Sequence, residues 1–293
     1  VTVNFPGNNS ITAVSVTLAK PVEFTGTATS ITGTTVTQTG AAWTVNAWTG
    51  KLVYLQNAAG AEEAFLVSSN TADTLTVTAP FALTARYTNT AKFTLGAAHT
   101  VGSLFGTASA DVKFTQGAAN VADLLYLWNG TGYVTYNHNG TSWRKSGSLS
   151  NANNDVIFPD EGFFVLRRSS TPLEVVFSGQ VPAKPQSTTI PGNGQTMVAS
   201  RFPVGATISS MGFQSLPGWQ TSTSATNGDR VFVWNGTGYT TYFYNGTNWR
   251  RTGSLGNVDN DVLPANAFMF VFRVSAGSGE QAAVHSLPYT LNP

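Results

Sequence analysis

Apolar residues recur at every second position through much of this chain, and short clusters rich in Gly, Asn and Thr interrupt the alternation. A period of two sends successive side chains to opposite faces of an extended strand. Over the first 92 residues the pattern predicts strands at 11–18, 22–28, 34–39, 52–56, 64–68 and 75–78, with Gly33, Gly40, Gly60 and Asn70 as turn punctuation. No segment holds a 3.6-residue apolar period for more than about two turns.

Farther along, the pattern repeats itself. Residues 123–155 align with 229–261 at an offset of 106, and 20 of 33 positions are identical. Identity over that length marks a duplicated unit, not shared composition. The common core reads Trp-Asn-Gly-Thr-Gly-Tyr at 128–133 and 234–239, then Asn-Gly-Thr-x-Trp-Arg at 139–144 and 245–250, and closes at Asn-Asp-Val. A one-residue slip beyond it aligns Pro159 with Pro264 and Phe163 with Phe268. Val101-Gly-Ser-Leu-Phe and Ile208-Ser-Ser-Met-Gly read as fainter copies.

Within each copy a three-stranded meander is expected, at 125–128, 133–136 and 142–145 in the first. Strands at 163–167 and 173–177 follow, matched by 268–272 and a stretch near 282–287. The Asn-Gly pairs predict type I′ hairpins, which need positive φ at both central residues. Residues 182–194, rich in Pro and Gly, read as a linker. The expected fold is therefore all-β: a small N-terminal β-barrel or sandwich over 1–92, then two tandem, duplicated β-sandwich-like units over 93–190 and 191–293.

Composition narrows the function. Charged residues are 10% of the 293, the net charge is +1, and no Lys/Arg run exceeds two. Without clustered cations the chain lacks the footprint of a nucleic-acid binder. No apolar stretch is long enough to span a bilayer as a helix. Zero cysteines removes disulfides, zinc thiolates and cysteine nucleophiles. A chain opening at Val1, charge-poor and rich in Thr, Asn and Gly, reads as an exported protein after signal-peptide removal.

The run Val14-Ser-Val-Thr-Leu-Ala-Lys-Pro-Val-Glu-Phe-Thr-Gly-Thr-Ala-Thr-Ser-Ile-Thr-Gly resembles the opening of a family of exported proteins abundant in Verrucomicrobia. Asn70-Thr-Ala-Asp-Thr-Leu-Thr-Val and the Asn-Asp-Val…Pro pattern resemble that family too. The resemblance implies export from a Gram-negative cell and transfers no active site. The chain departs from the family's single module by carrying the distal unit twice.

Candidate chemistry is weighed by whether duplication kept it. His99, His138 and His285 read as scattered surface residues, and position 138 is Tyr244 in the other copy. No catalytic residue is expected, since no nucleophile–base grouping is repeated. Asp123/Asp229 and Asp155/Asp261 lie beside turns, where capping competes with acid–base pairing. Asn151, Asn153 and Asp155, with Asn257, Asp259 and Asp261, place oxygens at loop positions 1, 3 and 5. That spacing suits a weak calcium site, although Gly162 or Phe268 at position 12 excludes an EF-hand. The four Asn-Gly-Thr sequons at 129, 139, 235 and 245 are accounted for by turns.

Trp128, Tyr133, Tyr136 and Trp143 recur as Trp234, Tyr239, Tyr242 and Trp249. Such rings either pair across strands or present faces to sugars. Val1, Val3 and Phe5 fall on one face of a short strand that can complete its own sheet or join a neighbour's. The C-terminal alternative, Leu287, Tyr289 and Leu291, is interrupted by Pro288. The functional expectation is an extracellular structural protein, a homopolymeric cell-surface filament or layer built by strand addition with Val1, Val3 and Phe5 as polymerisation strand. The alternative is a carbohydrate-binding or adhesin-like module with polysaccharide as partner. An enzyme is not expected.

Overall fold

In a computed structural model, which describes residues 1–274 and 279–291, the chain is nearly all β. Two five-stranded antiparallel sheets share one strand order. The first runs Trp143–Lys145, Tyr133–His138, Leu124–Trp128, Gly162–Arg167, Ser10–Ser15; the second runs Trp249–Arg251, Tyr239–Tyr244, Arg230–Trp234, Phe268–Arg273, Gly194–Ala199. Each is backed by small two-stranded pairs: Thr2–Phe5 with Leu173–Val176 and His99–Thr100 with Val156–Ile157 in the first copy, Gln186–Ile190 with Gln281–His285 and Ala206–Thr207 with Val262–Leu263 in the second.

The repeat is thus longer than its recognisable motif, and the expected boundary at residue 92 moves. Strands Thr2–Phe5 and Ser10–Ser15 belong to the first copy, whose core they complete with Val3, Phe5, Val14 and Val16. The first copy is split: 84 positions separate Ser15 from His99, against 7 between Ala199 and Ala206. The extra segment supplies seven strands, ordered Val22–Thr27, Lys92–Gly96, Leu52–Gln56, Glu62–Asn70, Thr74–Thr78, Thr35–Thr37, Ser30–Thr32, of a nine-stranded sheet that Gln186–Ile190 and Gln281–His285 extend through the pairing of Gln186 with Glu62. Its two end strands are consecutive in the chain, so the sheet curls back on itself around Leu55, Phe65, Leu75 and Phe93. The linker expected at 182–194 contains a strand, because Gln186–Ile190 pairs with Gln281–His285.

Two local expectations are corrected by backbone geometry. The pairings Leu124↔Leu166 and Arg230↔Phe272 keep the offset of 106 through the later strands, so Phe163 corresponds to Met269 and Gly162 to Phe268, without a slip. The Asn-Gly turns have positive φ at Gly130, Gly140, Gly236 and Gly246 alone. Each Asn acts through its side chain instead: Asn129 Oδ1 accepts from the N–H groups of Thr131 and Gly132 at 3.1 and 2.9 Å, and the other three repeat this. An Asx turn satisfies two loop donors and leaves Asn no reason to enter the left-handed region. Asn70, expected at a turn, is a buried strand residue whose amide bonds Thr44, Thr71 and Trp48 of the neighbouring loops.

The two five-stranded sheets stack face to face. Alternation sends Leu125, Phe163, Val165 and Val14 into the first copy's own core, and Tyr126, Trp128, Phe164 and Ala13 outward. In the second copy Val231, Met269 and Val271 point in, while Phe232, Trp234, Phe268 and Phe270 point out. The outward sets meet. Their contacts come in reciprocal pairs: Trp128 on Phe270 at 5.2 Å and 72°, Trp234 on Phe164 at 5.3 Å and 76°. Ser15 N–H donates to the Asn266 carbonyl at 2.9 Å, and Ala199 N–H donates to the Asp160 carbonyl at 2.8 Å. Residue i meeting j while j′ meets i′ is the signature of two-fold packing.

The strand Val1–Phe5 acts in cis. It pairs with Leu173–Val176, and Phe5, fully buried, packs on Phe114 with centroids 5.7 Å apart. Within this single chain the strand expected to add between subunits pairs with its own chain, and Val3 and Phe5 fill core positions, with Val1 partly buried beside them. Phe5→Ala is expected to lower stability by about 3–5 kcal/mol, the range for emptying a buried aromatic site. Urea unfolding would show this as a lower midpoint at unchanged slope.

Candidate functional site

The duplicated aspartates are spent on structure. Asp123 is ion-paired with Arg167 and accepts the N–H of Thr115 at 2.7 Å and of Arg168 at 2.6 Å. Asp229 repeats the arrangement with Arg273 at 2.7 Å, Gln220 N–H at 2.9 Å and Val274 N–H at 2.8 Å. All four charged residues are buried. Carboxylates held by an arginine and two backbone donors clamp the end of the central strand.

The second pair lies at the rim. Asp155 accepts from Tyr136 Oη at 2.8 Å and pairs with Lys145 at 2.9 Å; Asp261 accepts from Tyr242 Oη at 3.2 Å and pairs with Arg251 at 3.0 Å. Burial, then the Asp155 carboxylate, raises the Tyr136 phenol. The loop oxygens considered for calcium are engaged in the same way. Asn151 Oδ1 takes the Asn153 N–H at 2.7 Å, and Asn153 Oδ1 takes the Trp143 N–H at 2.9 Å; Asn257 and Asp259 repeat this at 2.8 and 2.6 Å. Oxygens at positions 1, 3 and 5 therefore each serve a different protein donor.

The histidines, expected on the surface, are buried. His99 Nε2 lies 2.8 Å from the Leu18 carbonyl, and His138 bridges Gln116 Oε1 at 3.2 Å and the Thr107 carbonyl at 3.1 Å. His285 sits between the Met211 carbonyl at 2.8 Å and Thr188 Oγ1 at 3.2 Å. Burial lowers His99, and lowers His285 to about 4. Among the described residues no cluster of His, Cys, Asp and Glu could hold a metal ion.

The aromatic octet divides. Trp143 and Trp249 are fully buried, their indole N–H groups donating to the Gly106 carbonyl at 2.9 Å and to Gln214 Oε1 at 3.2 Å. Tyr136 and Tyr242 are buried against them in the two cores. These four rings offer no face to a ligand, which removes half of the expected stacking set.

The other four converge on the two-fold axis. The strands Leu124–Trp128 and Arg230–Trp234 deliver Trp128 and Trp234 to the outward face, and the following turns return Tyr133 and Tyr239 beside them, with centroids 5.2 Å apart in both copies. Tyr133 and Tyr239 are 39% and 41% exposed, so they are the rings left open to solvent. Their hydroxyls interact across the axis; burial, then the Tyr239 charge and its hydrogen bond, raises the Tyr133 phenol. Trp128, Tyr133, Gln195, Phe232, Tyr239 and Phe270 enclose an open cleft of about 300 Å³. Gln195 breaks the symmetry, since its counterpart in the first copy is Ile11.

Phe232, Phe270 and Gln195 were not among the expected site residues. The signal was present in Phe163-Phe-Val-Leu and Phe268-Met-Phe-Val-Phe: unbroken apolar runs belong to strands buried on both faces, which demands a second layer. No family model matches the chain, and it matches neither the curated proteins nor the solved structures.

His285 gives a pH prediction. Its folded value of about 4 lies below the ordinary 6.5, so the unfolded chain binds the extra proton first. Stability is complete above pH 6.5 and is lost as pH falls toward 4, by up to about 3 kcal/mol. His285→Gln should flatten that limb in thermal melts taken from pH 7 to 4.

Proposed function

We propose that the chain is a non-catalytic extracellular binding protein that presents the cleft on the two-fold axis to carbohydrate. The observation that carries this reading is the division of the octet. In both copies one Trp/Tyr pair builds the core and the other lies between the copies with its tyrosine exposed, and Trp128, Tyr133 and Tyr239 line one cleft there. A sugar has apolar C–H faces and equatorial hydroxyls. Aromatic faces take up the first, while the Gln195 amide and the tyrosine hydroxyls can exchange hydrogen bonds with the second. Two ring contacts worth about 0.5–1.5 kcal/mol each beyond buried area suit a millimolar to micromolar site that gains avidity on a polymer. The extracellular setting is supported by a surface rich in Thr, Asn and Gly with few charges.

The cleft reading predicts retardation in affinity electrophoresis through at least one polysaccharide gel. Tyr133→Ala with Tyr239→Ala should weaken it tenfold or more without changing the melting temperature by more than a few degrees. Absence of binding across a panel of neutral and acidic polysaccharides, or binding indifferent to the double substitution, would defeat the proposal.

A second reading, a subunit of a surface layer or filament, is favoured by one other observation. Leu149 and Leu255 occupy the same Gly-Ser-Leu loop of each copy and are 88% and 76% exposed. Apolar side chains displayed twice in the same way are suited to self-association. On this reading Leu149→Ser with Leu255→Ser converts assemblies seen by electron microscopy into monomers, whereas a wild-type chain that stays monomeric at high concentration refutes it.

A further inference from the structure

A second cavity, remote from the aromatic cleft, lies where the inserted barrel meets both copies. It measures about 200 Å³ and is half enclosed. The barrel contributes Tyr54, Glu62 and Leu95, the first copy Val16, Leu18 and Lys20, and the connection to the second copy Val181 and Lys184, with Arg201 beyond it. Aliphatic side chains make up most of the accessible wall, and Lys20, Tyr54, Glu62, Gln180, Lys184 and Arg201 add polar groups to it, a mixture found in small-molecule sites between domains.

Its charges do not balance. Lys184 is matched by Glu62 at 2.6 Å, but Lys20 and Arg201 make no ion pair with a described residue. Arg201 is 2% exposed, donates one hydrogen bond from Nη1 to the Ser187 carbonyl at 2.9 Å, and holds a left-handed backbone at φ 59°. A buried guanidinium has five donors in a planar fork and is matched best by a carboxylate. Asp160 stands near it, but burial raises that carboxyl against the pull of Arg201. Tyr54, raised to about 12 by burial, remains a neutral hydroxyl donor in the wall.

We infer that this junction cavity binds a small monocarboxylate with an apolar body, its carboxylate directed to Lys20 and Arg201 and its hydrocarbon packed on Val16, Leu18, Leu95 and Val181. The volume is below the roughly 300 Å³ of drug-sized pockets, which sets the ligand at a short aliphatic or single-ring acid. Because the three units share its walls, an occupant ties the barrel to the duplicated pair.

Benzoate and octanoate serve as probes for the intact chain, with benzyl alcohol and octanol as uncharged isosteres. Isothermal titration should show saturable binding of at least one acid and a matching rise in melting temperature. The alcohols should bind about tenfold or more weakly, reflecting the lost charge-assisted hydrogen bonds. Lys20→Gln should weaken the acid by a similar factor. Val181→Trp, at an exposed mouth position, should abolish binding with an unchanged circular dichroism spectrum. No saturable binding of either acid up to about 10 mM, equal binding of the alcohols, or a Val181→Trp variant that binds normally would each overturn the inference.

Discussion

Gly162 has no side chain at the point where the ring of its own counterpart, Phe268, comes to rest. Any Cβ there would collide with that ring. Around this contact Phe164, Met197, Ala199 and Phe270 close an apolar layer between the two sheets. Each large side chain so buried is worth about 1.5–3 kcal/mol, and every strand of the central pairs takes part. Two-fold packing brings equivalent positions together near the axis, and two identical phenylalanines could not both occupy that space. The two copies have therefore diverged where they touch: glycine against phenylalanine, Ile11 against Gln195, Asp160 against Asn266. In the block 123–155 against 229–261, 20 of 33 positions remain identical.

The same packing explains which polar residues were duplicated. A strand sandwiched on both faces, such as Gly162–Arg167, has its side chains committed to apolar contacts, so its end must be secured by something other than a polar face. Arg167 and Arg273 do this, each drawn onto an aspartate that also gathers two loop N–H groups. Buried pairs of this kind contribute more to register than to net stability. The rim triads of Tyr136, Lys145 and Asp155, and of Tyr242, Arg251 and Asp261, fix the third meander strand in a comparable way. What duplication preserved was thus largely the means of holding strands in place. The exception is the pair of tyrosines left open on the axis, and the proposed carbohydrate reading rests on them.

The insertion gives the first copy a role the second lacks. By interrupting the connection between Ser15 and His99, it places a curled sheet against the linker and the second copy, joined there by the parallel pairing of Gln186 with Glu62 and by the bonds of Thr189 to Glu63 and Arg86. The junction cavity is a product of this three-way meeting.

Local chemistry was readable from the chain alone. Period-two alternation located most of the strands, because a half-buried strand must alternate; Gly33, Gly40 and Gly60 marked turns, because they adopt positive φ; and self-similarity exposed the repeat. Long-range pairing was not readable. Thr2–Phe5 and Ser10–Ser15 carry no trace of the motif, yet they complete the first copy from more than 140 residues away, since a strand's partner is decided by which edge and which core remain open. Nor could the sequence divide the aromatic octet: Trp128 and Trp143 each lie beside an Asn-Gly-Thr turn, and only the stacking of one sheet on the other put the first at an interface and the second in a core. Burial belongs to the assembled layers, and no residue's neighbours in the chain contain it.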